Sequence, residues 1–271
     1  MEITEPDFEM LLQDILQTYG YDFKNYSRAS LKRRINRTIA MERIPSFAEL
    51  RYKTLRDADF FAYFLEELTV NVSEMFRDPY FYKSLRTHVL PVLATHPHIR
   101  IWHAGCSTGE EVFSMAIMLQ EEGLLDRSIQ YATDINQDVL EKARSGIFEL
   151  STMKAYSENY NLSGGKANFS DYYTARYDKV VFNKELSKKA VFSIHNLVSD
   201  ESFNEFHLIL CRNVLIYFDK DLQKRVFKLF TDSLNPLGFL ALGSKESLIF
   251  SEQKDQFKPV DKKEKIWMKT S

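Results

Sequence analysis

Cysteine is scarce in this chain of 271 residues. Cys106 and Cys211 are too few for a disulfide framework, and such sparing use suits a reducing compartment. The six histidines are scattered, with His96 and His98 flanking Pro97 in a loop-like stretch, and nowhere is there the Cys or His spacing of a zinc site. No metal is expected. No stretch reaches the ~18 consecutive apolar residues of a membrane span, and the acidic start MEITEPDFEM lacks the apolar run of a secretory signal. The chain therefore reads as cytoplasmic, with no direct membrane insertion. Nor does one sign of charge dominate: 36 basic side chains stand against 38 acidic ones, a formal charge of -2. Without a global pull toward nucleic acid, any such binding would need a local patch. Only nine glycines and seven prolines punctuate the chain, and no internal repeat or low-complexity tract interrupts it.

What is present is core material, 44% hydrophobic and 14% aromatic. At roughly 150 residues per domain this supplies one large or two smaller domains. The amino-terminal part reads as helical. Thr4 and Asp7 resemble a weak capping box before Phe8, Leu11, Leu12, Ile15 and Leu16, and Gly20 ends that helix. A second helix is predicted from Ser30 to Met41 with Leu31, Ile35 and Ile39 toward the core, and a third from Phe47 to Lys53 after Pro45-Ser46. DADFFAYFLEEL (57–68) gives a fourth, and the segment from Pro79 to Leu93 reads as a link. The expected division is an all-helical domain with the start of a linker over 1–85, and a second domain over 86–271.

From Arg100 onward β-rich runs alternate with amphipathic ones. HIRIWHAG followed by GEEVFSMAIMLQEEG predicts strand, tight turn, helix; SIQYATDIN and QDVLEKARSG repeat the pattern, with Gly146 closing the helix. AVFSIHNLV, HLILCRN and GFLALGS read as further strands, and DLQKRVFKLFTDSL as a helix ended by Asn235-Pro236. Such a βαβ succession predicts an α/β domain: a mostly parallel sheet with helices on both faces and ligands at the carboxyl ends of the strands. Between about 168 and 190 the rhythm breaks, and YYTARYDKVVFNKELSKKAVF predicts a small antiparallel β insertion.

The first strand-to-helix turn, AGCSTGEE (104–111), spaces Gly105 and Gly109 as Gly-x-x-x-Gly rather than in the dinucleotide pattern. A helix amino terminus normally attracts anions, yet Glu110 and Glu111 occupy the first helical turn and would repel a phosphate. They suit the ammonium and sulfonium groups of S-adenosylmethionine, although acids there also simply offset the helix dipole. Asp134, at the end of the second strand, stands where an acidic side chain commonly meets ribose hydroxyls; Asn136 is an alternative cap for the helix that follows. The combination points to an adenosyl ligand and leaves NAD and nucleotide sugars open.

Several separated motifs then resemble one family over nearly the whole chain: the CheR-type methyltransferases, which methylate glutamates of bacterial chemoreceptors with S-adenosylmethionine. They are NVSEMFRD (71–78), RIWHAGCSTGEEVFSMA (100–116), YATDINQDVLEKARSGIF (131–148), FSIHNLV (192–198) and LILCRNVLIYFDKDLQKRVF (208–227). The resemblance implies an all-helical amino-terminal domain and a Rossmann-like methyltransferase domain carrying a small antiparallel β-subdomain. It implies cofactor contacts at Asn71, Ser73, Arg77, Gly105, Glu110 or Glu111, Asp134, Asn196, Leu197, Arg212 and Asn213. Ser73 stands where the family usually has threonine and keeps the hydroxyl. Arg77 and Tyr217 match the pair that the family places near the transferred methyl group.

The expected reaction is displacement of the sulfonium methyl by a substrate glutamate, leaving S-adenosylhomocysteine. No strong base is required, because a glutamate with a pKa of about 4.3 is ionised at neutral pH. Substrate recognition is expected on SLKRRINRTIAMER, with Arg33, Arg34 and Arg37 as a basic stripe opposite Leu31, Ile35 and Ile39, facing the acidic methylation helices of the receptor's cytoplasmic part. The same stripe has no accompanying aromatic stacking pattern for nucleic acid. Some family members hold a receptor's carboxy-terminal peptide through a glycine-containing loop of the β-subdomain. The corresponding YYTARYDKVVF is shorter and has no glycine, which argues against tethering. Two other readings compete: a methyltransferase of RNA or a small molecule, and a non-catalytic adenosyl-binding signalling module.

Overall fold

The structure, a computed structural model, describes residues 2–69 and 73–270. It divides the chain into two compact units, residues 1–71 with 215–225 and residues 72–214 with 226–271.

The first unit is built from α1 (Glu5–Tyr19), α2 (Arg28–Met41), α3 (Phe47–Arg56) and α4 (Ala58–Thr69). Thr4 Oγ1 accepts the Asp7 N–H at the start of α1, and Gly20 closes the helix in the left-handed conformation that glycine adopts without penalty. Ser46 caps α3 in the same way through the Glu49 N–H. The apolar stripes converge, burying Phe8, Leu11, Ile15, Leu31, Ile35, Leu50, Phe64 and Leu68. The segment 215–225 adds the short helical turn Leu215–Tyr217, whose Tyr217 carbonyl accepts the Ser27 N–H at 2.7 Å.

The second unit begins earlier than composition suggests. Pro79 to Leu93, expected as a link, is helical throughout: α5 (Pro79–Ser84), a π-helical turn (Leu85–Val89) and α6 (Leu90–Leu93). Phe81, Tyr82, Leu85, Val89 and Leu90 are buried in one cluster with Ile99 and Ile101 of the sheet. The division therefore falls near residue 71 rather than at 85, because these helical residues bury their apolar side against β-rich sequence.

The main sheet has seven strands: β1 (Ile99–Ala104), β2 (Ser128–Asp134), β6 (Ala190–Ile194), β7 (Phe206–Cys211), β8 (Leu234–Leu242), β9 (Phe257–Asp261) and β10 (Ile266–Lys269). Its order is β6-β2-β1-β7-β8-β10-β9. β1, β2, β6, β7 and β8 run parallel, and β10 is antiparallel to both its neighbours. The β9–β10 hairpin has no counterpart among the strands that the sequence pattern predicts. Helices α7 (Glu110–Glu121) and α8 (Gln137–Ser145) follow β1 and β2, α9 (Met153–Leu162) and α10 (Lys184–Ser187) lie further on, and α11 (Lys220–Ser233) precedes β8. Alternation along β1 covers both faces: Ile101 joins the cluster holding Phe113 and Ile117 of α7, whereas Trp102 meets the Phe230 ring of α11 edge-on at 5.4 Å. The antiparallel insertion is a three-stranded sheet, β3 (Ile147–Glu149), β5 (Lys179–Phe182) and β4 (Tyr173–Arg176) in that order. It starts at Ile147, not near 168. Strand order reverses between β1 and β7, and the turns beyond their carboxyl ends form the crevice where such sheets bind ligands.

Candidate functional site

The turn after β1 is held open by glycine. Gly105 has φ 80° and Gly109 φ 94°; a Cβ would lie 2.5 Å from Val214 Cγ2 at the first and 2.8 Å from the Ala143 Cβ at the second. Neither position has room for a side chain. The Gly105 and Cys106 N–H groups both donate to the Thr133 carbonyl at 2.9 Å, lashing this turn to the end of β2. Asp134 completes the lashing. Its Oδ2 accepts the Ser107 N–H at 3.0 Å and its Oδ1 the Asn136 N–H at 3.1 Å, while Asn136 caps α8 through the Asp138 N–H at 2.9 Å. Burial pushes the Asp134 pKa above the usual carboxylate value despite these bonds.

The two adjacent glutamates at the start of α7 live in different surroundings. Glu110 is buried, accepts from Thr108 Oγ1 at 2.7 Å, and is raised above its ordinary pKa, chiefly by loss of solvent. Glu111 lies 2.9 Å from His103 Nδ1 through Oε1 and 3.7 Å from Arg212 Nη1 through Oε2. Its burial also works to raise the pKa, but the His103 hydrogen bond and then the Arg212 guanidinium outweigh it and leave the carboxyl below its ordinary value. Glu111 is thus held ionised at neutral pH.

Arg77 follows an unusual backbone. Phe76 and Asp78 on either side have φ of 52° and 59°, sparsely populated conformations that cost on the order of 1–3 kcal/mol each. The surroundings enforce them: the Phe76 N–H donates to Ser114 Oγ at 2.9 Å, and its ring packs among Tyr82, Tyr160 and Phe169. Arg212 closes the segment from the other side. Its Nη2 donates to Asp78 Oδ2 and to the Arg77 carbonyl, and its guanidinium stacks 4.0 Å from the centre of the Phe81 ring. Arg77 itself is half-buried. Ser73 meets Glu110 through a side-chain hydrogen bond.

At the end of β7, Asn213 takes φ 63°. Glu246, absent from the expected residues, holds that turn: its carboxylate accepts the N–H groups of Asn213 at 3.0 Å, Val214 at 2.9 Å and Gly243 at 2.6 Å. After β6, Asn196 Oδ1 accepts the Val198 N–H at 2.9 Å and Leu197 is buried. His103 is likewise absent from the expected residues, although its even spacing from Ile101 on the strand puts it on the face of α7. The second unit thus brings Ser73, Gly105, Glu110, Glu111, Asp134, Asn196, Leu197, Arg212 and Asn213 onto the turns and segments around the carboxyl ends of its strands. Asn71 lies outside the described residues.

Tyr217 belongs to the first unit, where the Arg34 guanidinium lies over its ring, 4.4 Å from the centroid. This corrects the expected basic stripe. Arg34 is buried and donates through Nη1 to the Leu68 carbonyl, so it is unavailable at the surface. At about 100° per residue it falls roughly 60° from Leu31, on the apolar face, whereas Arg33 and Arg37 fall roughly 120–160° away. Those two are exposed.

Residues 71–266 match the CheR methyltransferase, SAM binding domain, and residues 6–69 match the CheR methyltransferase, all-alpha domain. The chain belongs to the CheR methyltransferase family. Its CheR domains begin and end close to the boundary near residue 71 that packing defines. Among relatives, a Pseudomonas putida protein named as a methyltransferase, Cher3, is 47% identical over 98% of both chains. The chemotaxis protein methyltransferase of Salmonella typhimurium is 31% identical, covering 91% of this chain and 85% of its own length. That of Listeria innocua is 29% identical, covering 90% and 91%. Among the described residues no helix is long and apolar enough to cross a membrane, and no three His, Cys, Asp or Glu side chains gather as a metal site would need.

The residues present fit S-adenosylmethionine. Ser107 Oγ and Asn136 Nδ2 are buried and without a hydrogen-bond partner among the described residues, in the two turns flanking Asp134. The paired acids at the start of α7 favour a cation over a diphosphate.

Proposed function

We propose that this CheR-family chain is a protein-glutamate O-methyltransferase acting on the acidic cytoplasmic helices of a chemoreceptor. The observation that carries the reading is Glu111: an ionised carboxylate fixed at a helix amino terminus, within a domain that matches the family's SAM-binding domain. S-adenosylmethionine supplies an electrophilic methyl group on a sulfonium centre. The protein's own residues do the rest. Glu111, with Glu110 beside it, holds the cationic end; Asp134 meets the ribose; Asn71, Ser73, Gly105, Asn196, Leu197 and Asn213 complete the cofactor contacts. Arg212, tied to Asp78 and Glu111, contributes by fixing its neighbours as much as by contact.

The acceptor glutamate arrives ionised, so no residue has to remove a proton. Catalysis then rests on orientation and exclusion of water. Arg77 holds one oxygen of the incoming carboxylate and leaves the other free to attack, since a symmetric two-oxygen grip would blunt the nucleophile. By the family resemblance, Tyr217 would serve near the methyl group. Arg33 and Arg37 steer the acidic helix by long-range attraction. The connection between β4 and β5 is only Tyr177-Asp178, which supports recognition without peptide tethering.

The test is methyl-label transfer to a receptor cytoplasmic fragment followed by mild alkali. A carboxyl methyl ester releases labelled methanol. Label stable to alkali, or cofactor binding without transfer to any glutamate-rich receptor helix, overturns the proposal.

A further inference from the structure

One buried side chain at the strand ends has no part in the contacts proposed so far. His103 lies on β1 with none of its side chain exposed. Both ring nitrogens face polar atoms: Nδ1 is 2.9 Å from Glu111 Oε1, and Nε2 is 3.0 Å from the Gln130 side-chain amide on the neighbouring β2. An ionised carboxylate only accepts hydrogen bonds, so Nδ1 carries a proton and donates it to Glu111. The Gln130 amide offers both an acceptor and donors and closes off Nε2 in either state of the ring.

We propose that His103 is the positioning residue of Glu111, holding Oε1 so that the carboxylate faces the cofactor's cationic end; the inference rests on the methyl-donor reading above. A glutamate at a helix start has three side-chain torsions to freeze when a ligand arrives, and a donor on a buried strand freezes them beforehand. His103 also restrains a competitor. Arg212 Nη1 already lies 3.7 Å from Oε2, and without the histidine the carboxylate is free to turn fully onto that guanidinium, cancelling the negative charge offered to the ligand. The bond resembles the outer-shell partners that orient metal ligands, here serving an organic cation.

The experiment is calorimetric titration of the full chain with S-adenosylmethionine, comparing wild type with His103→Leu and His103→Asn. Asparagine can place an amide donor near the position of Nδ1; leucine cannot. The expected result is a loss of affinity of about tenfold or more for His103→Leu and of less than about threefold for His103→Asn. In steady state the KM for the cofactor rises while kcat and the KM for a receptor fragment stay within about threefold. Wild-type affinity in His103→Leu, or equal losses in both variants, overturns the proposal. Should the leucine variant not fold, 15N NMR of the wild-type imidazole decides: a protonated Nδ1 supports the contact and a bare Nδ1 refutes it. Absence of cofactor binding by the wild type instead sinks the methyl-donor reading.

Discussion

Arg212 donates to Asp78 Oδ2 at 2.7 Å and to the Arg77 carbonyl at 3.2 Å, so a buried guanidinium pins the backbone on which the proposed substrate-binding arginine sits. The arginine side chain is 4% exposed and that of Asp78 42%. Removing the arginine deprives Glu111 of a cationic neighbour and releases a strained segment. Arg212→Ala is expected to cost roughly 2–3 kcal/mol, below the usual range for a fully buried pair because Asp78 is partly solvated. Methyl transfer should fall by more than about tenfold. Chemical denaturation and a labelled-methyl assay measure the two effects, and unchanged turnover would show that Arg77 needs no pinning.

Two left-handed glycines separate backbone strain from crowding. Gly20, at the end of α1, has φ 79° and open space where a side-chain methyl would sit, whereas at Gly109 that methyl would collide with Ala143. Gly20→Ala should cost about 1 kcal/mol, the conformational penalty alone. Gly109→Ala should cost about 2–4 kcal/mol and weaken cofactor binding, because relief requires α7 to move away from α8. Equal losses of stability in the two variants would contradict the crowding read from the turn.

Much of this architecture is legible in the sequence because it is written in short-range signals. Thr4, Gly20 and Gly146 mark helix ends by chemistry local to a few residues, and the turns carrying Gly105, Glu110, Glu111 and Asp134 lie directly after recognisable strands. Elsewhere the deciding partners are distant. Glu246 reaches back to Asn213 and Val214, and no local spacing announces that contact. β3 has three residues, too few to show alternation, and the lysine-rich loop of the β9–β10 hairpin masks its apolar strands. Pro79–Leu93, read as a link, is helical, and its Pro91 sits at the second residue of α6, just after the π-helical turn, where a missing N–H is tolerated. Arg34 escapes the pattern because apolar residues alone do not mark the full width of the buried face.

The buried acid at the start of α7 gives stability a pH dependence of predictable sign. Glu110 has its folded pKa raised above the 4.5 of a free carboxyl, principally by loss of solvent. The folded state therefore takes up its proton more readily than the unfolded chain, and stability falls as pH rises from about that value through the folded pKa. The penalty is in force at pH 7. Glu110→Gln should stabilise the ligand-free protein at neutral pH, with the gain shrinking as pH falls through the folded pKa and gone below about pH 4.5, while weakening S-adenosylmethionine binding roughly 3–10-fold. Denaturation at several pH values together with calorimetry checks both halves; a variant less stable than wild type at pH 7 would mean that the Thr108 and Ser73 bonds outweigh burial.

The three arginines of α2 should part company under mutation. Arg34 fills a buried position, donating to the Leu68 carbonyl and covering the Tyr217 ring. Arg34→Ala leaves that carbonyl without its donor and uncovers the ring, an expected loss of about 2–3 kcal/mol seen in denaturation. Arg33 and Arg37 are exposed, so Arg33→Glu and Arg37→Glu should leave stability within about 0.5 kcal/mol of wild type. Their effect should appear in the KM for a receptor fragment instead, rising several-fold at low salt and approaching wild type near 1 M salt, where the screening length is about 3 Å. A salt-independent change would mean direct contact rather than steering. No change at any salt would remove this face of α2 from substrate recognition and move the search for the receptor-binding surface elsewhere on the protein.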